Sequence, residues 1–295
     1  MERETIGLVG LGFVGTRIAR RLLAAGRSLC VLDRDRAKIE ALRDLEAVTT
    51  APDLGVLQQR ATTLVSCLPS EKAVEELAAA LERKGTLLLD TSTIRPSTAR
   101  RLHAALARRG IGYVEAPLLR AEREQEEPEF VLLASGAPAD LDRARPLLSL
   151  LAERIFVAGP IGAASRFALA LGALRLVALV ARAEAMTLVA ADGGDLDAFV
   201  ALAGELSALP GGRAAWERLR RGRPQPAIRL RIAAKDASLA AAFAEELGLD
   251  LPLFRRTAEL LRAALAEGLG ELDAGAVARA LERETGVRIT AEPEG

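Results

Sequence analysis

The stretch TIGLVGLGFVGTRIARRL, residues 5–22, decides how the rest of the chain is read. Its first five residues are a short apolar strand. Gly10, Gly12 and Gly15 then fall in the spacing G-x-G-x-x-G, and the residues beyond Gly15 have helical periodicity up to Gly26. A second strand, SLCVLD, ends in Asp33. In this context the spacing has a mechanism. Gly10 permits the tight turn, Gly12 lets a ligand's pyrophosphate approach the backbone, and Gly15 lets helix pack closely on strand. The helix start offers N–H groups and positive dipole to phosphates. The expected cofactor-binding segment is therefore Gly10, Leu11, Gly12, Phe13, Val14 and Gly15, with a nicotinamide dinucleotide as ligand. Asp33 sits where a carboxylate bonds both adenosine ribose hydroxyls, which favours NAD over NADP. Arg34 beside it is able to pair with a 2′-phosphate, so NADP stays open.

Outward from this unit the first half alternates strand and helix signals. Helices are expected over RDRAKIEALRD, EKAVEELAAALERKG and RPSTARRLHAALARRG. Strands are expected over ATTLVSCLP, TLLLDTS, GYVEAP and EFVLLASG. Apolar strands separated by helices imply a parallel sheet covered on both faces. After about Pro160 the pattern becomes helical almost throughout, opening with one long helix from Ala163 to Ala191. The expected fold is α/β: an N-terminal Rossmann doubly wound parallel sheet, residues 1–160, followed by an all-α domain, residues 161–295.

Composition narrows the function classes. Forty basic residues balance forty acidic ones, which removes any global pull toward nucleic acid or an anionic membrane. The run ERLRRGRPQPAIRLR is basic but has no aromatic residue for base stacking and reads as a solvated face. Arg175, Arg182 and Glu184 interrupt the most apolar helix, which argues against a membrane span. No signal peptide is expected ahead of the first strand. Cys30 and Cys67 lie in apolar, strand-like runs and are expected as buried free thiols, in keeping with a cytoplasmic protein. No metal-ligand spacing is present. His103, the single histidine, reads as a solvated helical residue.

Taken with later blocks, these residues resemble the β-hydroxyacid dehydrogenase family, which includes 3-hydroxyisobutyrate dehydrogenases and, more distantly, imine reductases. VSCLPSEKAVEEL resembles the segment that lays Leu68 and Pro69 against the cofactor. DTSTIRPSTAR is similar to the family's D-x-S-T-x-x-P block, which implies that Ser92 and Thr93 lie near nicotinamide and substrate. AAKDASLA resembles the K-D block, which implies that Lys235 lies near the nicotinamide end with Asp236 beside it. The resemblance further implies a small-molecule substrate, hydride transfer to a carbonyl or imine, and a homodimer through the helical domain.

Two blocks depart from that pattern. Where the family has A-P-V-S-G-G, this chain has APLLRA, so Leu119, Arg120 and Ala121 replace the carboxylate grip. Where the family has G-x-G-x-x-x-K-x-x-N-N, this chain has GAASRFALALG, which puts Ala168 at the lysine position. GAASRFALAL and EPEFVLLASG also resemble imine reductases, but Phe167 and Ala168 stand where those enzymes have tyrosine or aspartate. Reduction of a carbonyl needs a general acid. Alanine is not one, and Arg166 holds its proton too tightly. A protonated imine already carries its proton. Lys235 is the best remaining donor, with Ser92 and Thr93 as candidate catalytic partners. The alternative is a catalytically silent dinucleotide-binding protein. The 120–129 run, with two arginines and five glutamates, is expected as a solvated loop that opposes anions.

Overall fold

The computed structural model describes residues 5–43, 45, 47–120, 130–206, 212–221 and 226–291. It divides into two compact units. The first holds the described residues through Ala168, and the second those from Leu169 onward.

The first unit is a nine-stranded sheet with helices on both faces. In chain order its elements are β1 (Thr5–Val9), α1 (Phe13–Ala24), β2 (Ser28–Leu32), α2 (Arg36–Arg43), β3 (Val48–Thr50), α3 (Leu54–Arg60), β4 (Thr63–Ser66), α4 (Glu71–Ala80), β5 (Leu87–Asp90) and α5 (Pro96–Ala107). They continue with β6 (Gly112–Glu115), β7 (Leu118–Arg120), β8 (Phe130–Gly136), α6 (Pro138–Leu151), β9 (Arg154–Gly159) and the start of α7 (Ala163–Ala191). The order β3-β2-β1-β4-β5-β6 is parallel throughout. The strand order reverses between β1 and β4, the crevice where open α/β sheets bind ligands. Near-continuous apolar strands demand cover on both sides. One face buries Leu8, Val31, Val65 and Leu89 under α1 and α6. The other buries Val9, Leu64, Leu88 and Tyr113 under α3, α4 and α5.

The fold class is the expected one, and the structure adds a detail: the sheet is not wholly parallel. Beyond β6, strand β8 runs antiparallel to both β6 and β7, and β9 pairs parallel on its other edge. β6 and β7 lie end to end along one edge of β8, opposite Ser135–Gly136 and Phe130–Leu132 respectively. Ala116 and Pro117 join them, and proline has no N–H for a continuous ladder. Cys30 is fully buried in β2, but Cys67 is only half-buried and follows the end of β4; neither forms a disulfide. His103 is half-buried rather than solvated, with its Nδ1 enclosed.

The second unit contains the rest of α7 and α8 (Leu196–Leu206), α9 (Gly212–Arg221), α10 (Leu230–Glu246), α11 (Pro252–Ala266) and α12 (Val277–Thr285). α7 is long and apolar enough to cross a membrane by length and composition alone. Yet Leu176, Val180, Ala183 and Met186 are buried in the unit's cores. Arg182 is buried as well, its guanidinium 5.8 Å from the centre of the Trp216 ring. These are the features of a core helix, and a buried arginine on an aromatic face is a poor guest for lipid.

Candidate active site

The glycine turn follows β1 and opens α1. Gly10 has φ +93°, and a Cβ there would stand 2.3 Å from the Cys67 carbonyl oxygen. Gly15 is glycine because a Cβ would stand 1.9 Å from the Gly10 carbonyl oxygen. The turn itself thus requires both. Gly12 is different: nothing in the protein lies within 4 Å of where its Cβ would be. It is also the N-cap of α1, whose first turn has no side-chain cap and no acidic residue. N–H groups without a side-chain cap, beside a glycine that the fold does not need, fit a dinucleotide pyrophosphate.

Asp33 follows β2 directly and is held by the same turn. Its Oδ2 accepts the Leu11 N–H at 2.6 Å, and its Oδ1 accepts the Asp35 N–H at 2.8 Å. Lys38 Nζ lies 3.8 Å from Asp33 Oδ1. Arg34 is ion-paired with Glu76 on α4 at 2.7 Å. Phe13 is exposed, and the Arg17 guanidinium lies 5.6 Å from its ring centre; Val14 packs against the apolar core.

At the ends of β4 and β5 the chain builds a buried polar network. Asp90 Oδ1 accepts from the Ser66 hydroxyl at 2.8 Å and the Ser92 N–H at 3.1 Å, and its Oδ2 faces the Tyr113 hydroxyl at 3.3 Å. Ser92 in turn accepts the Leu68 N–H on its Oγ at 2.9 Å. The hydroxyl of Ser92 therefore fixes the segment bearing half-buried Leu68 and exposed Pro69. Thr93 is half-buried next in the chain. Burial raises the Asp90 carboxyl against the lowering effect of these bonds, and raises the Tyr113 hydroxyl well above its ordinary value.

Glu115, at the end of β6, holds the start of α7. It accepts the Ser165 N–H at 3.2 Å, and also the Ser165 hydroxyl and the Gly162 N–H. Burial raises its carboxyl too. Ala168 lies one turn further on. It is buried with Leu133 and Ala164, and Leu119, Val131 and Ala158 pack against them. Leu119 and Ala168, one from each of the two blocks that depart from the family pattern, therefore belong to one apolar cluster.

Lys235 and Asp236 belong to α10 in the second unit. Their side chains form an ion pair at 2.9 Å, each about a fifth exposed. In the first unit the structure brings together Gly10–Gly15, Asp33, Leu68, Ser92 and Thr93 at the carboxyl ends of β1, β2, β4 and β5. Residues 121–129, most of the acidic run, lie outside the described residues. Sequence reasoning missed Asp90, Glu115, Ser165 and Glu76. A carboxylate closing an apolar strand, as in LLLD and YVE, is the signal that points to the first two.

The model of the NAD-binding domain of 6-phosphogluconate dehydrogenase matches residues 5–159. An NAD-dependent L-serine dehydrogenase from Pseudomonas aeruginosa is 30% identical over 96% of this chain and 99% of its own. This chain belongs to the β-hydroxyacid dehydrogenase family. Like other members, it is an NAD(P)-dependent oxidoreductase. A 3-hydroxyisobutyrate dehydrogenase from Mycobacterium tuberculosis, solved with L-serine, has the same fold, with a TM-score of 0.79 at 22% identity, covering 95% of this chain and 99% of that one. An imine reductase from Pseudomonas sp. shares the fold less closely, with a TM-score of 0.61 at 19% identity, covering 95% of this chain and 100% of that one. The β-hydroxyacid dehydrogenase assignment makes the cofactor NAD or NADP and the substrate a small molecule.

Proposed function

We propose that this enzyme prefers NAD to NADP and reduces an imine or iminium more readily than a carboxylate-bearing carbonyl. The observation that carries the reading is the packing of Ala168 and Leu119 into one apolar cluster. A bound reduced nicotinamide supplies a hydride. With an aldehyde or ketone, the product oxygen needs a proton from a positioned acid, worth about 10²–10⁴-fold in rate. Ala168 has none to give. An iminium needs no further proton on hydride addition. The side chains of Leu119, Val131 and Ala158 offer a cation or neutral ring an apolar wall, and themselves offer a carboxylate no hydrogen bond; Arg120, next to Leu119 in the chain, is the residue that would favour one.

In this reading Ser92 and Thr93 position the substrate, Leu68 and Pro69 lie along the cofactor, and Asp236 orients Lys235. Lys235 is the proton donor that remains for a carbonyl substrate. Asp33 receives the ribose hydroxyls and repels a 2′-phosphate. The NAD preference is also in keeping with the NAD-dependent relative.

That relative favours a second reading, the oxidation of a small β-hydroxy acid such as L-serine. Steady-state kinetics separates the two. kcat/KM is measured for a cyclic imine, a short aldehyde acid and L-serine, with each nicotinamide cofactor. An advantage for the imine supports the first reading. An advantage for the acids overturns it and leaves the second.

The partner proposed is a second copy of this chain. Phe167, Leu171, Leu174, Ala178, Ala181, Ala185 and Leu188 repeat along α7 at the alternating four- and three-residue spacing of a helix-pairing seam. Of these, Phe167, Leu171, Leu174, Ala181 and Leu188 are exposed. Two cysteines that form no disulfide are in keeping with a cytoplasmic location.

A further inference from the structure

We propose that Glu76 on α4 is a cofactor-specificity residue: by holding Arg34, it denies a 2′-phosphate its guanidinium partner. The inference rests on the reading that Gly10–Gly15 and Asp33 bind a dinucleotide.

A 2′-phosphate brings nearly two negative charges and is best held by arginine, whose planar fork matches phosphate oxygens. Arg34 follows Asp33 directly in the chain. Its Nη2 donates to Glu76 Oε2 at 2.7 Å. Lys72, one turn before Glu76 on the same helix, lies 4.0 Å from Glu76 Oε1. Lys38 lies 3.8 Å from Asp33 and 3.6 Å from Asp35. These three cations thus each face a carboxylate, and Asp33, Asp35 and Glu76 balance them charge for charge. A 2′-phosphate must break an ion pair to recruit any of these three; Arg36, exposed at the start of α2, is a further cation in this segment, but it is Arg34 that directly follows Asp33.

Of the three acids, Glu76 is the one whose removal isolates this effect. Asp33 also accepts the Leu11 N–H, and Asp35 accepts the Ala37 N–H in the first turn of α2. Changing either disturbs backbone. Among the described residues Glu76 makes ion pairs only, from a helix face where its side chain is 45% exposed and that of Arg34 is 88% exposed. Pairs so exposed add little to folding stability. The effect of Glu76 is therefore read in ligand choice rather than in the fold, and it weakens with salt.

The test uses the adenosine end alone. ADP and adenosine 2′,5′-bisphosphate are titrated calorimetrically into wild type, Glu76→Gln and Glu76→Gln/Arg34→Ala, at low and high ionic strength. Glu76→Gln is expected to raise affinity for the bisphosphate about fivefold at low salt, and affinity for ADP less than twofold. The gain should shrink at high salt and vanish in the double variant. Equal bisphosphate affinity in wild type and Glu76→Gln overturns the proposal. So does a gain that survives loss of Arg34, because the charge change then acts without it. If wild type binds neither nucleotide, the cofactor-site reading itself fails and takes this proposal with it, a result distinct from equal binding.

Discussion

The Glu115 carboxylate accepts both the N–H and the hydroxyl of Ser165, so the end of β6 caps the first turn of α7 from outside the helix. The Gly162 N–H bonds the same group. Glutamine keeps one acceptor and turns an amide N–H₂ toward the other donors. Glu115→Gln should cost about 1.5–3 kcal/mol, the range for hydrogen bonds to a charged group. Urea denaturation of wild type and variant measures it. An unchanged midpoint would show that the cap is dispensable.

Asp90 makes stability depend on pH in an uncommon direction. Burial raises its carboxyl above 3.8, so the folded state keeps this proton to higher pH than the unfolded chain. Its contribution to stability is fully present below the unfolded value and is lost as pH rises through the folded one. Asparagine cannot lose that proton. The Tm of Asp90→Asn relative to wild type should therefore rise with pH across this window. A difference that stays flat with pH would mean that Asp90 titrates as it does in water.

The glycines of the turn should separate folding from ligand binding. Gly15→Ala drives a methyl into the Gly10 carbonyl and should lower Tm sharply. Gly12→Val meets no protein atom within 4 Å of its Cβ. It should fold like wild type and lose reduced-dinucleotide binding by about tenfold or more, since the contact it blocks is a backbone-to-phosphate one. Thermal melts and fluorescence titration read the two effects separately. Equal cofactor affinity in Gly12→Val and wild type would remove Gly12 from the site.

Asp33→Ala should raise the NADP/NAD affinity ratio by removing like-charge repulsion at the 2′-position. It should also lower Tm, because the Leu11 N–H loses its acceptor. The ratio comes from titration with each reduced cofactor. A wild type that already prefers NADP strongly contradicts the role assigned to Asp33.

Lys235→Ala should cut kcat for an aldehyde acid by about 10²–10⁴-fold, the usual worth of a general acid. It should cut kcat for a cyclic iminium far less. Equal losses on both substrates would assign Lys235 to binding rather than to proton transfer.

Much of the fold was legible because its signals are local. Gly10, Gly15 and the strand ending in Asp33 announce a strand–turn–helix unit within thirty residues. β3 escaped notice because Val48–Thr50 is only three residues long and two of them are threonine. The antiparallel arrangement around β8 escaped because Leu118–Arg120 pairs through a register that no periodicity encodes. For the candidate site, the glycine turn and Asp33 could be put forward directly from their spacing. Ala168 and Leu119 could be seen as departures, but not as members of one cluster, because that cluster joins β7 to α7 across nearly fifty residues of chain. Glu76 was invisible for the same reason: an ion pair between residues 34 and 76 has no signature in either segment.

The three glycines of the turn also differ in what would preserve them over evolutionary time. Folding alone forbids a side chain at 10 and 15, so a descendant that had abandoned its cofactor would still carry glycine at both. Position 12 has no such protection. Among lineages released from the cofactor it would drift early, while its neighbours stayed fixed. Comparison of position 12 with positions 10 and 15 across relatives would thus distinguish chains that keep the cofactor from chains that keep only its fold.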